Sequence, residues 1–140
     1  MSYDNDRISF YTELSNAWGV TTPLRFDSIH SDDQITTGNA PWIHCNINHM
    51  GTQQKSLGTS NVLYQTLGSF DVDIYDREEK GFANILKYAD TIRTLFIGKS
   101  LSSMTIRVIS VSILKRENYK GWNSRRVLIH FESNEYTSRL

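Results

Sequence analysis

A single cysteine, Cys45, stands in a chain of 140 residues, so no disulfide can form within it, and the count fits folding in a reducing compartment such as the cytoplasm. Prolines number two: Pro23 breaks the chain after a first helical stretch, and Pro41 opens a strand. No apolar run is long enough to span a bilayer. The opening residues, Met-Ser-Tyr-Asp-Asn-Asp-Arg, lack the basic-then-apolar order of a signal peptide. Net charge is also missing: 15 Lys/Arg balance 15 Asp/Glu, which argues against a dedicated nucleic-acid binder.

The balance conceals an asymmetry. Residues 1–80 hold 5 Lys/Arg against 11 Asp/Glu, net −6, and residues 81–140 hold 10 against 4, net +6. If the two halves lie apart in space, the division suits head-to-tail association of copies; if they interleave, it vanishes. A hydrophobic fraction of 39% with 21% charged residues describes a globular chain of one domain, residues 1–140.

The periodicities organise themselves around residues 68–97. Phe70, Val72 and Ile74 alternate with Asp71, Asp73 and Tyr75, the period-2 signature of a half-buried strand. After a charged link, 76–80, Phe82, Ile85, Leu86, Ala89, Ile92 and Phe96 recur at helical spacing, and Gly98 marks the stop. Upstream, residues 4–18 read as a helix with Ile8, Tyr11, Leu14, Ala17 and Trp18 on one stripe. Leu24–Phe26 is a short strand candidate, and the polar, aperiodic residues 27–40 read as a loop. Residues 41–49 form a strand with Ile43, Cys45 and Ile47 on one face and Trp42, His44, Asn46 and Asn48 on the other. This strand is expected to make a long hairpin with 62–75, its tip, residues 50–61, a flexible protruding arm. Strands at 103–114 and 125–131 close the chain. The expected architecture is therefore α+β, in the order α-β-β-β-α-β-β. A mixed or antiparallel sheet of four to five strands carries two helices on one face.

In this order the chain resembles the tail-terminator family of long-tailed bacteriophages, of the lambda minor tail protein U type. The matching features are the amphipathic helix ending at Trp18, Pro41-Trp42-Ile43 opening a strand, and the Gly/Gln-rich arm at 51–61. They continue with Gly68-x-Phe70-x-Val72-x-Ile74, the irregular link to Gly81, and Ala89-Asp90-x-Ile92-x-x-x-Phe96. The resemblance implies a small α/β module assembling in the host cytoplasm into a hexameric ring. In the virion that ring caps the head-proximal end of the tail tube, stops its polymerisation and later joins the head. Its implied partners are further copies of itself, the tail tube protein and the head–tail connector proteins. DNA passes through the lumen without sequence-specific binding, and no membrane, cofactor or catalytic residue is implied. A neck or head-completion protein of similar shape is the nearest alternative.

Enzymatic readings fare less well. Gly98-Lys99-Ser100 mimics the end of a phosphate-binding loop, but position 93 is Arg and the helix precedes the motif. Asp71-x-Asp73 fails as a calcium loop at Tyr75 and Asp76. His30, His44, His49 and Cys45 have no tetrahedral spacing, and strand alternation sends His44 and Cys45 to opposite faces, which leaves Cys45 a core residue. Asp73 with Glu78, Glu79 and Lys80 faintly resembles the carboxylate–lysine set of metal-dependent nucleases, although acidic residues before a helix are also explained by its dipole.

Two surface stretches carry the functional expectation. One is the arm with Gln53, Gln54, Lys55 and Leu57, together with Trp42 and His44 on the polar face of its strand, placed to meet a neighbouring subunit or tail protein. The other is a basic, aromatic hairpin: Lys115, Arg116, Tyr119, Lys120, Trp122, Arg125 and Arg126, suited to phosphates or an acidic partner. Reversing Arg125 and Arg126 to Glu is expected to weaken such contacts without changing the melting temperature.

Overall fold

The alternating strands and the two amphipathic helices assemble, in a computed structural model, into one largely antiparallel sheet with both helices on the same face. The structure describes residues 3–18, 24–26, 41–54, 61–101, 105–117 and 121–138. The elements are α1 (Tyr3–Trp18), β1 (Leu24–Phe26), β2 (Trp42–Gln54), β3 (Asn61–Arg77), α2 (Ala83–Phe96), β4 (Ser100–Leu101), β5 (Ile106–Lys115) and β6 (Trp122–Ser138). Strand order is β1-β2-β3-β6-β5-β4. Neighbours from β2 to β4 pair antiparallel, and β1 joins the edge in parallel, Leu24 opposite Ile43 and Phe26 opposite Cys45. The sheet thus has six strands where four to five are expected. The addition is β4, a two-residue strand behind Gly98 that is too short to leave a periodicity.

The core is the helix-covered face. Ile43, Cys45, Phe70, Val72, Ile74, Val127, Ile129 and Phe131 meet Ile85, Ala89, Ile92 and Phe96 of α2, all at 0% exposure. The expected alternation of β2 and β3 holds, with Cys45 in the core. The helix stripes are shifted. In α1 the buried residues are Phe10, Tyr11, Leu14 and Trp18, while Ile8 is 48% exposed and Ala17 also faces solvent. Ile8 lies about 200° around the helix from Phe10, so one of the two must face outward, and the larger ring takes the inside. In α2, Leu86 is exposed and Phe82 caps the helix.

The charged link is a single 3-10 turn, Glu78–Lys80, closed by Gly81 at φ 69, a conformation that favours glycine. Beneath it the fully buried Asp76 accepts from the Arg77 backbone N–H at 2.9 Å and from Asn84 Nδ2 at 3.2 Å. Asn123 Nδ2 donates to the Gly81 carbonyl at 3.3 Å, which pins the link to β6.

Residues 50–54 depart from expectation, because they are strand and not loop. The β2–β3 ladder slips by one residue between His49 and Gly51, and Gly51, at φ 136, allows the bulge. Pairing then resumes through Thr52↔Thr66 to Gln54↔Tyr64. The Thr52 and Thr66 hydroxyls hydrogen-bond at 2.7 Å, so polar residues hold this part of the ladder. Loop 27–40 and the arm's tip, 55–60, lie outside the described residues.

Candidate assembly surfaces

The hairpin arm is three strands wide. β6 runs alongside it to Ser138, pairing Leu67↔Glu132 through Asn61↔Ser138. At about 3.3 Å per residue, the seven pairs reach roughly 23 Å. No described side chain of 50–54, 61–67 or 132–138 belongs to the hydrophobic core. Gln53 and Gln54 are exposed on the arm's outer strand; Lys55 and Leu57 lie outside the described residues. On the opposite strands Gln65 donates to Glu132 at 2.6 Å, and Glu132 also pairs with Arg107 at 2.6 Å.

A buried polar node fastens the arm's base to α1. Asp6, 1% exposed, holds His49 Nε2 at 3.0 Å through Oδ2 and accepts from Ser133 Oγ at 2.9 Å through Oδ1. These are the residue types of a hydrolytic triad in the wrong order: the serine reaches the carboxylate and not the imidazole, so this arrangement activates no nucleophile. Sequence reasoning passes over Asp6, since an acid in a first helical turn is ordinarily explained by the helix dipole. Next to the node, Gly68 lets β3 pass under Phe131. A Cβ there would stand 2.6 Å from the Asn48 carbonyl oxygen and 2.6 Å from Phe131 Cζ. Gly68→Ala is expected to cost about 1–3 kcal/mol through overpacking. Chemical denaturation checks this, and a change under 0.5 kcal/mol would contradict the contact.

The face on which no described helix packs carries a compact ionic latch. Arg126 grips Asp73 with two bonds, Nε–Oδ1 at 2.7 Å and Nη2–Oδ2 at 3.1 Å, and Arg116 Nη1 bonds the same Oδ2. Arg126 Nη1 also lies 3.6 Å from Asp71 Oδ2, which accepts from Asn48 Nδ2 at 3.0 Å. Asp71 and Asp73 are nearly buried, whereas each arginine is about a third exposed. The bond to Asp73 raises the Arg126 pKa. Burial, and then the Asp73 charge, lift Tyr75 above its ordinary value near 10, so its phenol stays neutral at physiological pH. His44, half-buried, pairs in register with Asp73.

Trp42 stacks on Tyr75 with centroids 3.9 Å apart and meets the edge of Trp122 at 5.8 Å. Trp42 is therefore buried in an aromatic cluster on this face, distinct from the core under the helices.

The basic hairpin disperses on folding. Arg116 and Arg126 are engaged with Asp73, Arg125 lies 4.0 Å over the Phe82 ring, and Trp122 is 1% exposed beneath Arg77. Lys115 is exposed; Tyr119 and Lys120 lie outside the described residues. The expected neutrality of reversing Arg125 and Arg126 is corrected: Glu at 126 would face two carboxylates, so stability must fall. The latch likewise occupies the Asp73 oxygens that a nuclease reading would assign to metal. Among the described residues no three His, Cys, Asp or Glu side chains converge on one point.

Both lateral edges of the sheet are stepped. β1 covers β2 at Ile43–Cys45, and β4 covers β5 at Ile106 and Arg107, with the Val108 N–H also donating to the Lys99 carbonyl at 2.9 Å. Beyond those contacts no described strand pairs with the outer edges.

No protein-family model and no curated protein sequence matches this chain. Solved structures do match: one covers 95% of this chain and 96% of its own length, with a TM-score of 0.69 and 17% sequence identity. At that identity the likeness shows a shared fold over nearly the whole of both chains. No helix among the described residues is long and apolar enough to cross a membrane.

Proposed function

We propose that this chain is a structural protein of a long-tailed bacteriophage: a tail terminator whose six copies form a ring on the head-proximal end of the tail tube. The ring stops tube growth and then receives the head, working through contacts with its own copies, the tube protein and the connector proteins. The residues take part as surfaces and not as catalysts, no cofactor is needed, and DNA passes through the lumen without being read.

The observation that carries this reading is the three-stranded arm. Its outer four pairs, Tyr64↔Glu135 to Asn61↔Ser138, extend roughly 13 Å past the end of β5, and no described side chain there belongs to the chain's hydrophobic core, which suits a surface that orders against a neighbour. The sequence resemblance, which spans the helix, the arm and the strand–link–helix unit, supplies the identity of that neighbour.

Negative-stain electron microscopy over a concentration series, alone and with isolated tail tubes, tests the proposal. Rings with a central hole, or caps at one end of the tubes, are expected. Monomers in both samples would overturn it.

A further inference from the structure

We infer that copies of this chain join by edge-to-edge continuation of the sheet, with the outer edge of β5 receiving β1 of the next copy. The inference rests on the ring reading and specifies its interface.

The first observation is an edge that no described strand pairs with over most of its length. From Ile109 to Lys115 the outer side of β5 has no described partner strand, and Ile109, Ile113 and Leu114 are 53%, 38% and 41% exposed. Soluble proteins usually guard such an edge with inward charges, proline or a covering element, because it is a template for another strand. Here the middle of the edge is Ile-Ser-Val-Ser-Ile, with charge only at its ends.

The second observation is the fit of the two steps. Following the register across the sheet, Ile43 is level with Lys115 and Cys45 with Ile113, through Ile74–Arg125 and Val72–Val127. β1 therefore stands level with the open part of β5. By the same path Thr52 is level with Ile106, so β4 stands level with the open part of β2. Two copies side by side in the same orientation interlock, β1 of one and β4 of the other sharing a single lane.

Strand direction agrees. β1 runs with β2, and three antiparallel steps separate β2 from β5, so β1 of the next copy meets β5 antiparallel. A rotation axis roughly along the strands preserves these directions, and such a head-to-tail contact closes into a ring.

Disulfide trapping tests the contact. Arg25 pairs with His44, which is level with Leu114 through Asp73 and Arg126. Cysteines at 25 in one copy and 114 in the next would then face each other at bonding distance. In a Cys45→Ala background, mixed Arg25→Cys and Leu114→Cys proteins are expected to yield a cross-linked pair, and the double variant a ladder ending at six. Leu114→Cys cross-linking to itself would show two-fold β5–β5 pairing and overturn the inference. Rings or tube caps with no 25–114 cross-link would also overturn it while leaving the ring reading standing. Cross-linked ladders that never cap tubes would uphold the interface and defeat the tail assignment. Ile113→Lys serves as the control: assembly should fall at least tenfold with the melting temperature unchanged, and undiminished assembly counts against the inference.

Discussion

Phe10→Ala is expected to cost about 3–5 kcal/mol, the range for deleting a buried aromatic ring. The Phe10 ring is fully buried and lies 5.0 Å from Phe70, 5.9 Å from Phe96 and 4.7 Å from Phe131, so one side chain joins α1 to β3, α2 and β6. Its removal opens a cavity where two helices and two strands converge. Urea denaturation should show a midpoint shift, and α1 amides should lose hydrogen-exchange protection before those of β3. Ile8→Ala is the matched comparison: with the side chain 48% exposed, a change within about 0.5 kcal/mol is expected. Equal losses from the two variants would mean that the helix is docked by another face.

The second large effect is expected at Asp73. Removing one partner of a buried pair costs about 3–5 kcal/mol, and partial exposure of Arg116 and Arg126 should reduce that to about 2–3 kcal/mol for Asp73→Ala. The loss comes mainly from two guanidinium groups left close together with Asp71 as their remaining acid. It follows that Asp73→Leu combined with Arg126→Leu should be less damaging than Asp73→Leu alone. A double-mutant cycle by chemical denaturation reads the difference. Additive losses would show that the latch is worth no more than its separate side chains.

Where one physical rule governs, as in the alternation of β2 and β3, the sequence is legible. Period 2 places Ile43, Cys45, Phe70, Val72 and Ile74 under the helices and Asp71, Asp73 and Tyr75 on the other side, as the structure has them. The strand–link–helix unit is read within two residues, and both helices lie on one face as expected. Legibility fails where two rules compete. Ile8 and Phe10 both suit an apolar stripe, and only packing against Phe70 and Phe131 chooses between them. The arm's strands are hidden because Thr, Gln and Asn carry no hydrophobic period, and a bulge at Gly51 breaks what alternation there is.

The basic hairpin shows a different limit. Arg116 and Arg126 are close in sequence and read as a free patch, yet their partner Asp73 lies some 40 to 50 positions earlier. A count of local charge cannot see a cross-strand acid. The same holds for Asp6, joined to His49 43 positions on and to Ser133 127 positions on.

The sixth strand in chain order sits in the middle of the sheet, between β3 and β5. During synthesis, therefore, β5 emerges with the edge meant for β6 wholly open and its outer edge covered by β4 near Ile106 and Arg107 alone, so from Ile109 to Lys115 no preceding strand of the described sheet distinguishes the two edges. Pairing with a second copy at that stage would be indiscriminate. Only after residues 122–138 have left the ribosome and slid into the gap does β5 keep a single open side. Long-range closure of this kind is slow, and it places completion of the individual fold ahead of correct assembly.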